Sequence, residues 1–415
     1  MRMNTILAGI AMSLLLLLTL SASASDHTLN VFGNANEDDT INMQDVTYTE
    51  LIILEYRDAT DLADAKYDDK INMQDVTQIE LVILGKEKEL TVLDSVDRIV
   101  TLEMPIERVV ALSTSAPAGT YRILGAMDKI VGINQMITGD PFYPELQDKP
   151  AVGWPSPDYE AIVELDPDLI VAGTGEFYYF EILEKMDPLG IDVVLIDCGG
   201  KPPKYFAELR TLGMILGVTE RAEEYIDFSQ PYLDLVEERI QELSLEEKKT
   251  VYFEFIGDYA IMSRSDDVIN RAGGVHVFAD LFSDDPMEHK RFTVEPEAVV
   301  AKNPDVIIKD PHLGFKWSGY AHGVTDNMDG LRAELMERPG WSELNAVSDG
   351  EVYIQSRELG NERTLGTCFL AKTLYPDLFS DLDTGALLEE YLEKYHGMEY
   401  DDYQVAVYHP DRLLR

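Results

Sequence analysis

One stretch decides the fold of this chain: Thr219-Glu-Arg-Ala-Glu-Glu-Tyr-Ile-Asp-Phe-Ser-Gln-Pro-Tyr-Leu-Asp-Leu-Val-Glu-Glu-Arg-Ile-Gln-Glu-Leu-Ser244. Its core-forming residues recur at steps of three or four, the spacing of one face of an α-helix. They are Ala222, Tyr225, Ser229, Tyr232, Val236, Ile240 and Leu243. Such a helix would be about 40 Å long, roughly the width of a domain, and Thr219 is its predicted N-cap. Pro231 leaves two alternatives open, one kinked helix or two shorter helices that meet at the proline.

An internal repeat flanks this stretch. Glu160-Ala-Ile-Val-Glu-Leu-Asp-Pro-Asp-Leu-Ile-Val171 is echoed by Glu297-Ala-Val-Val-Ala-Lys-Asn-Pro-Asp-Val-Ile-Ile308. In each copy a short helix should end before the proline, because the residue that precedes a proline avoids α geometry. The aliphatic run that follows is typical of a buried parallel strand. Two copies of one helix–strand unit on opposite sides of a long helix indicate two similar lobes joined by a strut.

Strands and helices alternate on both sides of the strut. Residues 91–217 form the predicted first lobe, residues 219–244 the interlobe helix and residues 249–415 the second lobe. The alternation predicts the α/β class, with parallel-rich sheets flanked by helices in each lobe. Ligands of such sheets bind beyond the carboxyl ends of the strands, which predicts a ligand site in the cleft between the lobes.

The composition excludes several classes of function. A chain of 415 residues with 45% hydrophobic content can form two or three folded domains. Its formal net charge of −43 repels nucleic acid and anionic membrane surfaces, so neither is an expected partner. The two cysteines, Cys198 and Cys368, form no disulfide framework, and either one bridge or two buried thiols remains open.

The first 24 residues are predicted to be an export signal. Arg2 supplies positive charge, residues 6–20 form an apolar run, and Ser21-Ala-Ser-Ala24 offers small residues for cleavage. The apolar run is short for a membrane-spanning helix, and we expect no transmembrane segment after cleavage. The mature protein is therefore expected to be extracytoplasmic, at the cell surface or secreted.

A second repeat precedes the lobes. Asn42-Met-Gln-Asp-Val-Thr47 returns thirty residues later as Asn72-Met-Gln-Asp-Val-Thr77. Each copy ends a twelve-residue loop that enters a helix, and candidate calcium ligands stand at positions 1, 3, 5, 7, 9 and 12. The first loop offers Asn34, Asn36, Asp38, Thr40, Asn42 and Asp45; the second offers Asp64, Asp68, Lys70, Asn72 and Asp75, with Lys66 as a defect at position 3. The alternative is a solvated acidic pair of helices without metal. Asp39 and Asp69 occupy position 6, where the sharp turn should require φ > 0.

An aspartate at position 12 followed by a short apolar helix resembles the dockerin module. The resemblance covers residues 28–86 and depends on the duplicated Ile-Asn-Met-Gln-Asp-Val-Thr signature. It implies a small all-α module that binds Ca²⁺ and docks onto a cohesin-type domain. Such a module would attach or assemble the protein at the cell surface.

No catalytic constellation stands out in the sequence. It contains no G-x-S-x-G elbow, no H-E-x-x-H pair, no Walker loop and no G-x-G-x-x-G that opens a helix after a strand. We therefore predict a binding protein with no catalytic residues. The alternative is a dockerin-borne cell-surface enzyme with its active site in the interlobe cleft.

Residues 91–380 resemble the substrate-binding proteins of ABC importers for iron-siderophores, cobalamin and haem, in which one long helix joins two lobes. The matching pieces are Val109-Val-Ala-Leu112, Leu124-Gly-Ala, Ile130-Val-Gly132, Pro167-Asp168-Leu-Ile, Ala272-Gly-Gly274, Pro304-Asp305-Val-Ile, Pro339-Gly-Trp341, Ala346-Val-x-x-Gly-x-Val352-Tyr353 and Ala371-Lys-x-Leu-Tyr-Pro376. The resemblance implies a transported ligand that is an iron or cobalt chelate and a partner that is an ABC permease dimer. It also implies one permease-docking glutamate on each lobe, Glu160 and Glu297, each at the start of a helix. A helix-dipole role for these two glutamates is the alternative.

Large chelates are bound by aromatic surface and a few fixed charges. The loops that follow the predicted strands supply such side chains, and they form our predicted ligand set. The set is Phe177, Tyr178 and Tyr179 in the first lobe, with Tyr259, Arg264, Trp317, Tyr320, Arg357 and Arg363 in the second. Core packing is the alternative for each aromatic residue.

Overall fold

A computed structural model describes residues 28–112, 118–140, 142–154, 156–173, 179–198, 204–262, 264–282, 291–310, 326–356, 359, 362–399 and 407–410. The predicted export signal therefore lies outside the described residues. The chain divides between Glu87 and Lys88 into two compact units. Among the described residues, no helix has both the length and the apolar character needed to span a membrane.

The first unit contains two equivalent helices, α1 (Met43–Ile53) and α2 (Met73–Ile83). Each begins with the same capping box, formed by Asn42 and Asp45 in α1 and by their repeat equivalents in α2. The cap satisfies two of the N–H groups that a helix start leaves unpaired. The two copies share one small core, composed of Val46, Ala65, Val76 and Ile79. The repeated sequence therefore gives a repeated structure.

The loops before these helices turn at an unexpected position. Asp69 has the left-handed conformation expected at position 6 (φ 63°), but Asp39 does not. The residues at position 4, Glu37 (φ 56°) and Tyr67 (φ 51°), are left-handed in both loops. The common turn therefore lies two residues before the position that the sequence predicted.

The second unit begins with a hairpin of β1 (Glu89–Leu93) and β2 (Ile99–Glu103). The first lobe is then built on a four-stranded parallel sheet in the order β4-β3-β5-β6. Its strands are β3 (Val109–Ala111), β4 (Ile130–Ile133), β5 (Leu169–Ala172) and β6 (Asp192–Leu195). Its helices are α3 (Ala118–Ile123), α4 (Tyr159–Glu164), α5 (Tyr179–Met186) and α6 (Lys204–Ile215).

One continuous helix, α7 (Thr219–Gln241), follows the first lobe and runs through Pro231. The alternative of two helices that meet at the proline is therefore wrong. The N-cap is Val218 and not Thr219, and its side chain makes no capping bond. The buried face consists of Ala222, Tyr225, Ile226, Phe228, Ser229, Leu233 and Val236. This helix packs against α6 of the first lobe and against α12 (Arg363–Leu374) of the second.

The second lobe is built on a five-stranded sheet in the order β13-β12-β11-β7-β9, parallel except for β13. Its strands are β7 (Thr250–Phe255), β9 (Val275–His276), β11 (Val306–Asp310), β12 (Val352–Gln355) and β13 (Val407–Tyr408); β8 (Ala260–Met262) and β10 (Arg291–Thr293) form a separate pair. Its helices are α8 (Arg264–Arg271), α9 (Pro296–Lys302), α10 (Asp326–Met336), α11 (Asn345–Ser348), α12 and α13 (Thr384–Tyr391), which continues as a π-helical segment, Leu392–His396. The predicted α/β class with parallel-rich sheets in two lobes is confirmed.

The Pro-Asp step of the internal repeat has the same structural role in both lobes. Asp168 accepts hydrogen bonds from the backbone N–H groups of Glu107 and Arg108, just before β3. Asp305 accepts from the backbone N–H and the hydroxyl of Thr250, which begins β7. Each aspartate therefore ties its own strand to the start of the neighbouring one, and folding alone explains why both copies carry it.

Candidate functional site

The carboxyl ends of the two sheets are where parallel α/β folds bind ligands. In the first lobe the residues beyond these ends include Asn134 and Cys198, both buried. In the second lobe Asp310 and Gln355 end β11 and β12, and both are buried. Asn134, Asp310 and Gln355 are polar side chains at the ends of mainly apolar strands or just beyond them. They mark the edge at which a ligand site is expected.

A buried carboxyl group joins the second lobe to the long helix. Glu362, at the N-cap of α12, accepts a hydrogen bond of 2.6 Å from the hydroxyl of Tyr225 on α7. Burial raises the pKa of Glu362 to about 7, although the bond from Tyr225 opposes that shift. Tyr205 on α6 lies close enough for Glu362 to add to the upward pKa shift that burial causes in Tyr205. The first lobe, the strut and the second lobe therefore meet at Glu362.

Two arginines converge on one aspartate beside this carboxyl group. Arg363 donates to Asp267 Oδ2 at 3.0 Å, and Arg271 donates to the same oxygen at 3.1 Å. The guanidinium of Arg271 also donates to the hydroxyl of Thr367. The Arg363 side chain is only 8% exposed, whereas that of Asp267 is 30% exposed. We name Glu362, Tyr225, Arg363, Asp267 and Arg271 the junction cluster.

The junction cluster predicts a pH-dependent stability. Between pH 4.5, the ordinary pKa of a glutamate, and about 7, the folded state holds a proton on Glu362 that the unfolded state has released. Stability should therefore fall as the pH rises through this window and remain lower above it. In Glu362→Gln the neutral side chain can still accept from Tyr225, so this slope should vanish. Urea unfolding at pH 5 and pH 8 measures this difference. Between these two pH values the free energy of unfolding of the variant should rise, relative to that of the wild type, by on the order of 3 kcal/mol. Parallel pH profiles for the two proteins would contradict the assignment.

A second buried network lies in the second lobe, near the carboxyl ends of β7 and β11. Glu254, fully buried, accepts hydrogen bonds from Lys309 (2.6 Å) and from both terminal nitrogens of Arg338 (2.6 and 3.1 Å). Arg338 also donates to the exposed carboxylate of Asp258. Burial raises the pKa of Glu254, but the two cations outweigh it and hold that pKa below its ordinary value. This network is charge-balanced within the fold.

The loop at residues 256–259 is held in an unusual backbone conformation by the same network. Ile256 (φ 63°) and Tyr259 (φ 55°) both have left-handed backbones, which is rare for a β-branched residue. Lys309 donates to the carbonyls of Ile256 and Gly257, and the backbone N–H of Tyr259 donates to Glu254. The Tyr259 ring lies under the Arg338 guanidinium at 4.5 Å. The predicted ligand residue Tyr259 is thus tied to the lobe's own network.

The other predicted ligand residues are placed only in part. Arg363 belongs to the junction cluster, and Tyr179 and Arg264 begin helices α5 and α8. Phe177, Tyr178, Trp317, Tyr320 and Arg357 lie outside the described residues. The ligand set as a whole stays a prediction.

Glu160 and Glu297 occupy the first turns of α4 and α9 and are exposed. Each helix precedes a central strand of its lobe, so its N-terminus lies at the edge where the parallel strands end. Neither carboxylate makes a hydrogen bond or an ion pair with any other residue that the structure describes. The N-cap bond of α4 comes from Asp158, so capping does not require Glu160.

Sequence reasoning missed most of the residues that structure the second lobe's edge. Glu254, Lys309 and Gln355 each stand inside or at the end of a β-branched or aromatic run. A polar residue on a buried strand destabilises the fold unless it is paired or functional. A polar residue within an apolar run was therefore a sequence signal for these positions. The signal could not name the partners, because Lys309 and Arg338 are 55 and 84 residues from Glu254.

The first loop of the N-terminal unit has the features of an incomplete cation site. Asn34 is fully buried, and its Oδ1 has no hydrogen-bond partner. Asp45 accepts from the backbone N–H groups of Asn36 and Asn42, and burial raises its pKa to about 6. The Asp38 carboxylate accepts from Asn36 and Thr40 within the loop. An unmatched buried oxygen and a desolvated carboxylate suit a hard cation.

The second loop repeats only part of this arrangement. Asp75 accepts from the backbone N–H groups of Lys66 and Asn72, as Asp45 does at the equivalent positions, and burial raises the pKa of Asp75 as well. The Asp64 carboxylate accepts from the backbone N–H groups of Asp68 and Asp69. Within the described ranges, no group of three or more histidine, cysteine, aspartate or glutamate side chains is arranged to hold a metal ion. Both cysteines are buried free thiols.

Comparison with known proteins places this geometry in a family. The family model described as "Periplasmic binding protein" matches residues 109–358, which is more than half of the chain. The chain belongs to the periplasmic binding protein family. A curated relative, the uncharacterized ABC transporter substrate-binding lipoprotein YvrC of Bacillus subtilis, is 25% identical over 298 residues, which cover 70% of this chain and 87% of the relative.

Solved structures of other periplasmic binding proteins have the same fold. The TroA-like protein FepB from Veillonella parvula superposes with a TM-score of 0.61 at 25% identity, over 77% of this chain and 99% of that one. The Haemophilus influenzae protein MolA, solved with molybdate, superposes with a TM-score of 0.60 at 20% identity, over 75% of this chain and 99% of that one. These likenesses agree with the two-lobe architecture described above.

Proposed function

We propose that this protein is the extracytoplasmic substrate-binding protein of an ABC importer, which captures a metal chelate between its lobes and delivers it to a permease dimer. The observation that carries the proposal is the junction cluster, where both lobes and the long helix meet at the carboxyl edges of the sheets. Family membership and the name of the Bacillus subtilis relative, a substrate-binding lipoprotein of an ABC transporter, support the same class.

For the ligand we propose an iron or cobalt chelate, namely a ferric siderophore, a corrinoid or a haem. The predicted aromatic and arginine residues of the loops after the strands would supply its contacts. Arg363 could pair with a carboxylate of the chelate in place of Asp267, whose side chain is more exposed than that of Arg363. Glu160 and Glu297 would contact the permease, one glutamate for each of two equivalent subunits.

Native mass spectrometry of the protein purified from its own host tests this function directly. We expect an added mass that corresponds to a ferric chelate, a corrinoid or a haem, and its loss when the protein is unfolded. Titration of the stripped protein with the identified compound should restore the complex with a one-to-one stoichiometry. A stripped protein that binds no member of these three classes would contradict the proposal.

For the N-terminal unit we propose a dockerin-like module that binds Ca²⁺ and docks onto a cohesin-type domain. Asn34 Oδ1 and the Asp45 carboxylate are the groups in the first loop that best fit the ion. The ligand set for the second loop is Asp64, Asp68, Lys70, Asn72 and Asp75, and Lys66 makes it the weaker site. A bound calcium ion would supply the positive counter-charge for the two buried carboxylates at position 12, those of Asp45 and Asp75.

Matched substitutions in the two repeats test the calcium proposal. Asp45→Asn should lower calcium affinity at least about tenfold, because it removes the carboxylate at position 12. Asp75→Asn should have a smaller effect, because the second loop is the weaker site. Wild-type affinity should also fall as the pH drops below about 6, where Asp45 takes up a proton. Isothermal titration of the whole protein with calcium measures all three. The proposal fails if the wild type gives no calcium heat, or if only Asp75→Asn reduces it.

A further inference from the structure

Gln355 is exceptional in the described part of the chain. Its side chain is fully buried, and neither Oε1 nor Nε2 has a hydrogen-bond partner. Other buried side chains in the described ranges, such as those of Asn34 and Ser229, leave one polar atom unpaired, but among the described residues only Gln355 leaves two, an Nε2 donor and an Oε1 acceptor. The observation does not depend on which way the amide is oriented, because both atoms are open.

A buried amide without partners destabilises the folded protein, and native structures rarely keep one without a functional reason. The backbone gives no reason here. Gln355 pairs with Val407 of β13 in the regular antiparallel register. Only the side chain is unsatisfied, and a leucine or methionine would fill the same space without the loss. An unfavourable residue at a position that the fold does not need points to a ligand.

The position of Gln355 agrees with that interpretation. It is the last residue of β12, at the carboxyl edge where this fold class binds ligands. Alternation along the strand puts it on the sheet face opposite Ile354, which belongs to the main apolar core of the lobe. On that face its neighbour in the β11 register is the buried carboxylate Asp310, one residue after the Lys309–Ile354 pair.

We propose that Gln355 is a ligand contact that selects a neutral group with both a hydrogen-bond donor and an acceptor, which is the edge of an amide. A carboxylate could use only the Nε2 donor of Gln355 and would leave its Oε1 acceptor unpaired. An amide edge satisfies both open atoms at once. This inference rests on the proposed function, and it narrows the ligand to chelates that carry amide groups.

Three probes distinguish the sources of such an edge. Cyanocobalamin carries carboxamide side chains, ferrioxamine B carries amide and hydroxamate groups, and haemin carries carboxylates. We expect the wild-type protein to bind cyanocobalamin or ferrioxamine B more tightly than haemin, as measured by tryptophan fluorescence and calorimetry. Gln355→Met should weaken that binding by at least about tenfold, because the amide of the probe loses both partners.

The same variant gives a readout that a structural role would not produce. Without ligand, Gln355→Met should melt at a higher temperature than the wild type, because a buried unpaired amide has been removed. The matched control is Tyr353→Phe, a buried position on the same strand and face whose hydroxyl donates to Glu351. It should bind the probe as the wild type does.

The outcomes separate the two proposals. A wild type that binds none of the three probes refutes the proposed function, and the role of Gln355 falls with it. A wild type that binds a probe with unchanged affinity in Gln355→Met refutes only the Gln355 contact. Preference for haemin over both amide-bearing probes refutes the amide selection. A higher melting temperature together with weaker probe binding in Gln355→Met supports the contact.

Discussion

Reversal of the charge at both Glu160 and Glu297 should abolish the stimulation of ATP hydrolysis by the cognate importer while ligand affinity stays at the wild-type level. Both carboxylates are exposed at the carboxyl edges of their sheets and make no hydrogen bond or ion pair within the described structure. The two glutamates are proposed to contact the permease, where acidic side chains would pair with positive charge. The double variant Glu160→Arg, Glu297→Arg would replace both by like charges. Like charges at an interface cost several kcal/mol, roughly a hundredfold or more in affinity.

The internal repeat strengthens this expectation. The aspartate of each Pro-Asp step has a folding role, since Asp168 and Asp305 hold the starts of neighbouring strands. The glutamates have no such role in the described structure, and Asp158 already caps α4. A helix-dipole contribution of about 0.3–1 kcal/mol is all that folding gains from an acidic residue in this position. Retention of both glutamates is better explained by a partner that meets both lobes.

A matched control separates docking from net charge. Glu184 and Glu334 are exposed, one in each lobe, near the C-terminal ends of α5 and α10. Reversing both changes the net charge by the same amount and should leave the transporter's stimulated ATPase activity intact. The measurement uses the purified permease complex in lipid vesicles, with circular dichroism to verify folding. If the Glu160 and Glu297 double variant still stimulates normally, these residues serve only the helix dipoles.

Removal of the Glu254 carboxylate should cause the largest loss of stability among single substitutions in the second lobe. Glu254→Leu leaves the Lys309 ammonium and the Arg338 guanidinium, 3% and 13% exposed, without their shared counterion. Breaking a buried ion pair by removing one partner typically costs about 3–5 kcal/mol. The loop at residues 256–259 should loosen as well, because the backbone of Tyr259 is bonded to that carboxylate.

The sign of the pH dependence adds a second test. The pKa of Glu254 is held below its ordinary value of 4.5 in the folded state. Its contribution should therefore be complete above pH 4.5 and be lost as the pH falls through the depressed folded pKa. The Leu variant should lack this part of the acid transition. Thermal unfolding by near-UV circular dichroism at pH 3 and pH 7 measures both effects.

Two graded variants complete this experiment. Lys309→Met should be less harmful than Glu254→Leu, since Arg338 still pairs with the carboxylate in a bidentate manner. Asp258→Asn should be nearly neutral, because that side chain is 80% exposed and surface ion pairs contribute little. Equal melting temperatures for Glu254→Leu and Asp258→Asn would show that the network does not stabilise the lobe.

Several elements could be read from the sequence because their cause is local. The apolar spacing of the 219–244 stretch predicted the long helix, since periodic burial of one face needs no knowledge of the partner. The Pro-Asp repeat predicted two strands, and β5 and β11 begin directly after the two Pro-Asp steps. The duplicated Asn-Met-Gln-Asp motif predicted two helix starts, because a capping box forms among neighbours in the chain.

Local signals were less accurate for the exact residue at which a helix begins or a loop turns. Thr219 looked like an N-cap, but the helix begins one residue earlier in the chain, after Val218. The turn of the first calcium-type loop lies at Glu37 and not at Asp39. In each case the sequence correctly indicated that a boundary or a turn exists. In both loops a local bond closes the turn, from the Glu37 N–H to the carbonyl of Asn34 and from the Tyr67 N–H to the carbonyl of Asp64.

The sequence by itself determined the α/β class, the two lobes and the strut, because continuous aliphatic runs and an apolar period of 3.6 residues are properties of the chain alone. Only the tertiary structure decided which charges meet. Tyr225 and Glu362 are 137 residues apart, and Arg363 and Asp267 are 96 apart. A buried charge is stable only where a partner is within hydrogen-bonding distance. That distance is set by the packing of α7, α8 and α12, about which local sequence patterns carry no information.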